Sequence, residues 1–180
     1  MTESETLRKV RRRASEVAAE YAGDEPRPLA GYALTMGTYV GTVTLLLAAS
    51  RVADVDVPER PPWPDLALSA LATFKLSRLI AKDPITSPLR APFTRYKGVT
   101  GPSELAEEPR EGPVRHSVGE LVSCPFCLAQ WIATGFVGGL VLAPRFTRMV
   151  AATFSVVAVS DFLQFARTAA EQATGESGDA

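Results

Sequence analysis

The chain has 180 residues, 46% of them hydrophobic and 22% charged, with a formal net charge of −1 and two cysteines. That composition excludes a disulfide-rich secreted scaffold, a disordered chain and a nucleic-acid binder with strong positive excess. A single histidine, His116, excludes a multi-histidine metal site within one chain.

As averages, these figures describe an ordinary soluble domain, but the charges are unevenly placed. None of the 39 charged residues falls in the 23 positions from Pro28 to Ser50, nor in the 24 from Leu121 to Pro144. At uniform charge density, a gap of 23 has a chance of about 0.3% per starting point. Two such gaps indicate a membrane protein, and the length indicates one domain.

Residues 1–28 contain an amphipathic segment, with Leu7, Val10, Ala14, Val17, Ala18 and Tyr21 at three- and four-residue steps. A helix over 2–21 is predicted, opened by a Thr2/Glu5 capping box. Arg8, Lys9, Arg11, Arg12 and Arg13 occupy its other faces. Two readings stay open: a solvated helix, or one lying on an anionic membrane surface.

The first span is predicted over 29–50, whose 22 residues cover about 33 Å against a hydrocarbon core of about 30 Å. A cleaved signal peptide fits less well, because the leading region is long and of mixed charge. Residues 51–64 form a proline-rich connector. Asp65 is the expected N-cap of a second helix over 66–81, apolar to Phe74 and then carrying Lys75 and Arg78. Sixteen residues cover only about 24 Å, so this helix must be short, shielded or re-entrant.

Residues 82–120 read as a polar, proline-broken loop, with one short helical turn at Ser103, Glu104, Glu107 and Glu108. A third span follows over 121–143, stopped by Pro144 and Arg145. The fourth covers 149–166 and is interrupted by Asp161; residues 167–180 are an acidic tail expected to be disordered.

Basic residues number six before the first span, two in 51–64, six in 82–120 and two in 144–148. The segments with six belong on one side and those with two on the other. The expected fold is an all-α, up-down antiparallel bundle of four transmembrane helices, with both termini and the long loop cytoplasmic.

Three stretches resemble a bacterial membrane-protein family defined only as a domain of unknown function, DUF1360. They are the run from Ala72 to Ile80 with Asp83-Pro-Ile-Thr86 and Arg90-Ala-Pro-Phe93; the run from Gly119 to Cys127 with Trp131; and the run from Ser160 to Gln164. The resemblance covers about residues 66–165. It implies an integral protein of the bacterial cytoplasmic (inner) membrane, multi-pass and without established activity, some relatives being labelled sporulation proteins. It transfers no catalytic role.

Four groups of residues carry chemistry. Cys124-Pro125-Phe126-Cys127 stands at the start of the third span, where unsatisfied amides and the helix dipole favour thiolate and proline loses no hydrogen bond. Inert thiols, a redox pair, and a metal site shared between two chains with His116 as a further ligand all remain open. Lys75, Arg78 and Asp161 reach one depth, about 15–20 Å below the outer helix ends. Asp161 is expected to pair with one of the two cations, with Ser77, Ser160 or Gln164 completing the hydrogen bonding; snorkelling is the alternative.

Arg90, Arg95 and Lys97 accompany Phe93 and Tyr96 as a candidate lipid- or phosphate-facing cluster. Downstream acids argue against nucleic acid. Gly135 and Gly139 permit close helix approach, within the chain or in a homo-oligomer. Trp131 is a candidate interface anchor.

The lipid bilayer is the expected partner; no protein partner is legible. Three functions follow, the first preferred: a non-enzymatic membrane or scaffold component, sporulation- or envelope-related by resemblance; a thiol-redox or metal-binding protein; and a small transporter subunit using the intramembrane charges.

Overall fold

The structure, a computed structural model, describes residues 3–22 and 28–174. Thr2, Arg27 and residues 175–180 lie outside them, so the capping box and the end of the tail do too.

Helix α1 (Glu3–Ala22) meets α2, and its apolar Leu7, Val10, Val17 and Tyr21 are exposed. Helix α2 (Leu29–Val52) begins after Pro28, as expected, and runs two residues past Ser50. Helix α3 (Trp63–Lys82) is longer than the 66–81 segment read from the sequence. Pro62 is its N-cap and Pro64 sits in its first turn, where a missing amide costs nothing. Asp65 is therefore not the cap but a first-turn acid. At 20 residues, α3 covers about 30 Å rather than 24 Å.

The stretch predicted as a long loop is structured, and the fold is not purely helical. A 3-10 turn (Pro84–Thr86) and one helical turn, α4 (Ser87–Arg90), lead into a two-stranded antiparallel hairpin, β1 (Thr94–Gly101) and β2 (Glu104–Pro109). The expected helical turn at Ser103 is instead the hairpin tip. Pro102 presets one turn position and Ser103 adopts a φ of 58°.

Helix α5 (Pro113–Ser123) absorbs the first three residues predicted for the third span. Pro125 forbids Cys124 the helical region (φ −105°, ψ 109°), which breaks the chain before α6 (Pro125–Leu142). Pro144 stops α6 but also starts α7 (Pro144–Thr174), so the 144–148 turn is helix and the fourth helix continues beyond 166. Arg167 and Glu171 pair at 2.7 Å in that extension.

Among the described residues, three helices are long and apolar enough to cross a membrane: α2, α6 and α7. Only 6%, 11% and 17% of their most apolar stretches are buried, an exposure of hydrocarbon suited to lipid rather than water. The more polar α3 packs most extensively, against both α7 and α6, while α2 attaches through α5 and α6.

Ala72, Phe136 and Ala151 form the core between α3, α6 and α7, with Leu68, Leu76, Ile132, Val150 and Phe154 around them. Small buried Ser69, Ala72, Ser77 and Ala81 let α3 approach closely. The Ser155 hydroxyl donates to the Leu68 carbonyl at 2.7 Å, and Tyr39 meets Thr134 (2.9 Å) and Gln130 (2.7 Å) while its ring meets Trp131 edge-on at 5.2 Å. Trp131 is thus a packing residue between α6 and α2.

Candidate functional site: a charged cleft between α3, α7 and the hairpin

On α3, Lys75, Arg78 and Lys82 recur at steps of three and four, as do Asp161, Gln164 and Thr168 on α7. Both sets therefore form stripes along one helix face. The stripes meet because α3 and α7 run side by side in the same direction. Asp65 and Arg148 join one end in a bidentate pair at 2.9 and 2.8 Å, and Phe74 stacks on Phe162 at 5.3 Å further along.

Lys75 Nζ donates to Asp161 Oδ2 at 2.6 Å, both side chains largely buried. Arg78 lies over the Phe74 ring, 5.9 Å from its centre, and pairs not with Asp161 but with Glu104 at the hairpin tip. Ser77 bonds its own helix at the Phe74 carbonyl, and the Gln164 amide reaches Ser160 at 3.5 Å; neither serine is a partner of Asp161. The result is a cleft of about 380 Å³, with Phe74, Leu79 and Phe165 as apolar wall and Lys82, Gln164, Thr168 and the hairpin tip as polar wall.

Arg90 is the correction among the basic residues. It is 0% exposed, and its guanidinium forms a fork with Glu107 at 2.8 Å twice. It also donates to the carbonyls of Ile80 (2.6 Å) and Asp83 (3.1 Å) and to the Thr86 hydroxyl (2.6 Å). A group so enclosed faces no lipid; it ties the end of α3 to β2. Burial alone would raise the Glu107 pKa. The hydrogen bonds from Arg90 and Thr94, the Arg90 charge and the more distant Lys82 outweigh it and hold that carboxyl below its ordinary value.

Arg95 and Lys97 are exposed on β1, but acids meet them from the other strand. Lys97 binds Glu108 at 2.5 Å, and this bond, with the charges of Lys97 and Arg95, lowers the Glu108 pKa.

The cysteines are free. Cys124 caps α6 through its sulfur, which accepts from the Cys127 amide at 3.3 Å and from the Cys127 thiol at 2.8 Å, beyond the roughly 2.05 Å of a disulfide. His116 sits near the far end of α5, about 12 Å along the axis from Cys124, and its Nε2 lies 3.3 Å from Glu120. It is no third ligand in this chain, and among the described residues no group of three His, Cys, Asp or Glu side chains is placed to hold a metal ion.

The glycines on α6 divide. A Cβ at Gly139 would press on Thr147 of α7 (2.6 Å) and one at Gly138 on Leu46 of α2 (2.9 Å), whereas Gly135 faces open space. Gly135 and Gly139 thus do not form one contact stripe.

Two partners escape sequence reasoning. Glu104 and Glu107 reach Arg78 and Arg90 only once the hairpin closes, and the signal for that closure is Gly101-Pro102-Ser103, a turn sequence.

These features define a helical protein with membrane-type apolar helices and an internally paired polar cleft. The chain belongs to the family described as Protein of unknown function (DUF1360), whose model matches residues 68–167. It is also similar to a protein named sporulation protein YjcA from Bacillus subtilis (strain 168), at 37% identity over 71 residues. That alignment takes in 38% of this chain and 60% of the relative, so the chain spans less than two thirds of that protein's length. No solved structure matches. The family match runs from α3 into α7, so it contains the Arg90 clamp, the cysteines and every residue of the cleft but Thr168.

Proposed function

We propose that the protein is a non-enzymatic, multi-pass component of the bacterial cytoplasmic membrane, with four spans and both termini cytoplasmic. Its work is to present the β1–β2 hairpin as a rigid scaffold surface at the cytoplasmic face. The observation that carries this reading is Arg90, a fully buried guanidinium whose hydrogen bonds fix the hairpin to the end of α3. The name of the similar Bacillus protein makes the sporulating cell envelope the setting we favour.

The pairing of Lys75 and Asp161 supports the fourth span, because α3 can lie in hydrocarbon when its charges are matched within the protein. A second reading, thiol redox chemistry, is favoured by the 2.8 Å approach of the two sulfurs and by Cys127 lining a groove of about 360 Å³.

Complementation of a chromosomal deletion in the native host tests these readings together. The scaffold reading expects rescue by the double variant Cys124→Ser/Cys127→Ser and by Lys75→Met/Asp161→Leu, and none by Arg90→Ala at equal membrane abundance. Failure of the cysteine variant alone would move the assignment to thiol chemistry; failure of the Lys75/Asp161 variant alone would move it to transport.

A further inference from the structure

We infer that the cleft between α3, α7 and the hairpin tip is a binding site for the phosphodiester of a membrane phospholipid, with Lys82 as its cation. This rests on the membrane reading above and adds a ligand to it.

The charges of the cleft are not equivalent. Lys75 and Arg78 are each taken up by an acid, Asp161 and Glu104. Lys82, one helical turn nearer the end of α3, forms no ion pair or hydrogen bond among the described residues. Its charge reaches Glu107 only at a distance, and that carboxylate is already held by Arg90. Of the three carboxylates of the cleft, Asp161 and Glu104 are taken by Lys75 and Arg78, and Asp83 accepts from the Ile85 amide at 2.9 Å. The half-buried Lys82 therefore lines a cavity of about 380 Å³ with capacity for an anion, and Gln164, which lines the same cavity, adds an amide donor.

The position selects the source of that anion. On α7 the apolar run gives way to Arg167, Thr168 and Glu171 just where Thr168 lines the cleft. On α3, Lys82 lies seven residues beyond Lys75, as Thr168 lies seven beyond its partner Asp161, and so reaches the same level. The polar half of the cleft is thus level with lipid headgroups. Its other half, Phe74 and Phe165, continues into the exposed Phe162, which stacks on Phe74, a surface fit for an acyl chain. Phosphate on Lys82 and hydrocarbon on these rings is the pattern of one amphiphile. A soluble phosphate would use only half of the site.

The test is thermal unfolding of the full chain in detergent, with phosphatidylglycerol, diacylglycerol or inorganic phosphate added. The phospholipid is expected to raise Tm by about 2–4 °C at saturation, diacylglycerol and inorganic phosphate by much less. Lys82→Gln should abolish the phospholipid shift whatever its own Tm, and Lys97→Gln, on the exposed hairpin, should keep it. An equal shift with diacylglycerol, or a shift that survives Lys82→Gln, overturns the proposal. A full shift with inorganic phosphate that Lys82→Gln removes would make the ligand a soluble phosphate and overturn the lipid. A protein monodisperse without detergent fails the membrane reading itself, whereas a detergent-dependent protein indifferent to phospholipid fails only this inference.

Discussion

Helices α2 and α3 are of similar length and opposite character. α2 has no charge before Arg51, yet it buries little more than Gly31 and Ser50, and most of its surface is open. α3 carries Asp65, Lys75, Arg78 and Lys82 and sits between α6 and α7, the first two charges paired to α7 and the third to the hairpin. Hydropathy therefore reports which helix meets lipid, not which helix lies deepest in the bundle. A helix sheltered by apolar neighbours keeps polar groups that an outer helix would have to give up.

The largest expected effect breaks the polar end of that contrast. Arg90→Ala leaves the Glu107 carboxylate buried without its cation and frees the hairpin from α3. The cost is about 3–5 kcal/mol, read as lower thermal stability and as new proteolytic cleavage between Thr94 and Pro109.

Next comes the crowded glycine of α2. A Cβ at Gly31 would overlap the Pro113 carbonyl and the Ser117 hydroxyl of α5, while one at Gly37 meets nothing within 4 Å. Gly31→Ala should destabilise by about 1–3 kcal/mol, and Gly37→Ala should stay within about 0.5 kcal/mol of wild type. Equal costs would show that the outer face of α2 is covered.

For the inner pair, Lys75→Met or Asp161→Leu alone should cost about 1–2 kcal/mol, since both side chains keep some exposure. The double variant should recover much of that loss in a double-mutant cycle.

The smallest effect is a dependence on acid. Glu107 holds its proton less tightly in the folded protein than the ordinary value of 4.5, so its contribution is complete above that value. It is lost as pH falls through the lowered folded value. Thermal unfolding followed from pH 6 downward should show this loss in the wild type and not in Glu107→Gln.

The helical half of the fold is legible in the sequence because uncharged runs of 23 and 24 residues are long enough to cross a bilayer and are rare in helices that meet water. Pro144 is equally legible as the stop of α6, but it also opens α7, and a proline looks the same in both roles. The hairpin is hidden because its strands do not alternate cleanly: β1 holds two glycines, and bulges interrupt its register with β2. Helical rise alone, a local property, places Lys75 and Asp161 at one depth. The partner of Arg78 and the burial of Arg90 depend on a chain reversal at Pro102-Ser103, which spacing along the chain does not encode.

The central claim, that α3 crosses the membrane despite its charges, is tested by labelling single cysteines in a Cys124→Ser/Cys127→Ser background. Glu59→Cys lies between α2 and α3, and Val99→Cys lies on the hairpin beyond α3. A membrane-impermeant maleimide should label position 59 in intact cells and position 99 only after the inner membrane is permeabilised. Labelling of position 99 in intact cells at the same rate as position 59 would put both ends of α3 on one side and contradict the account.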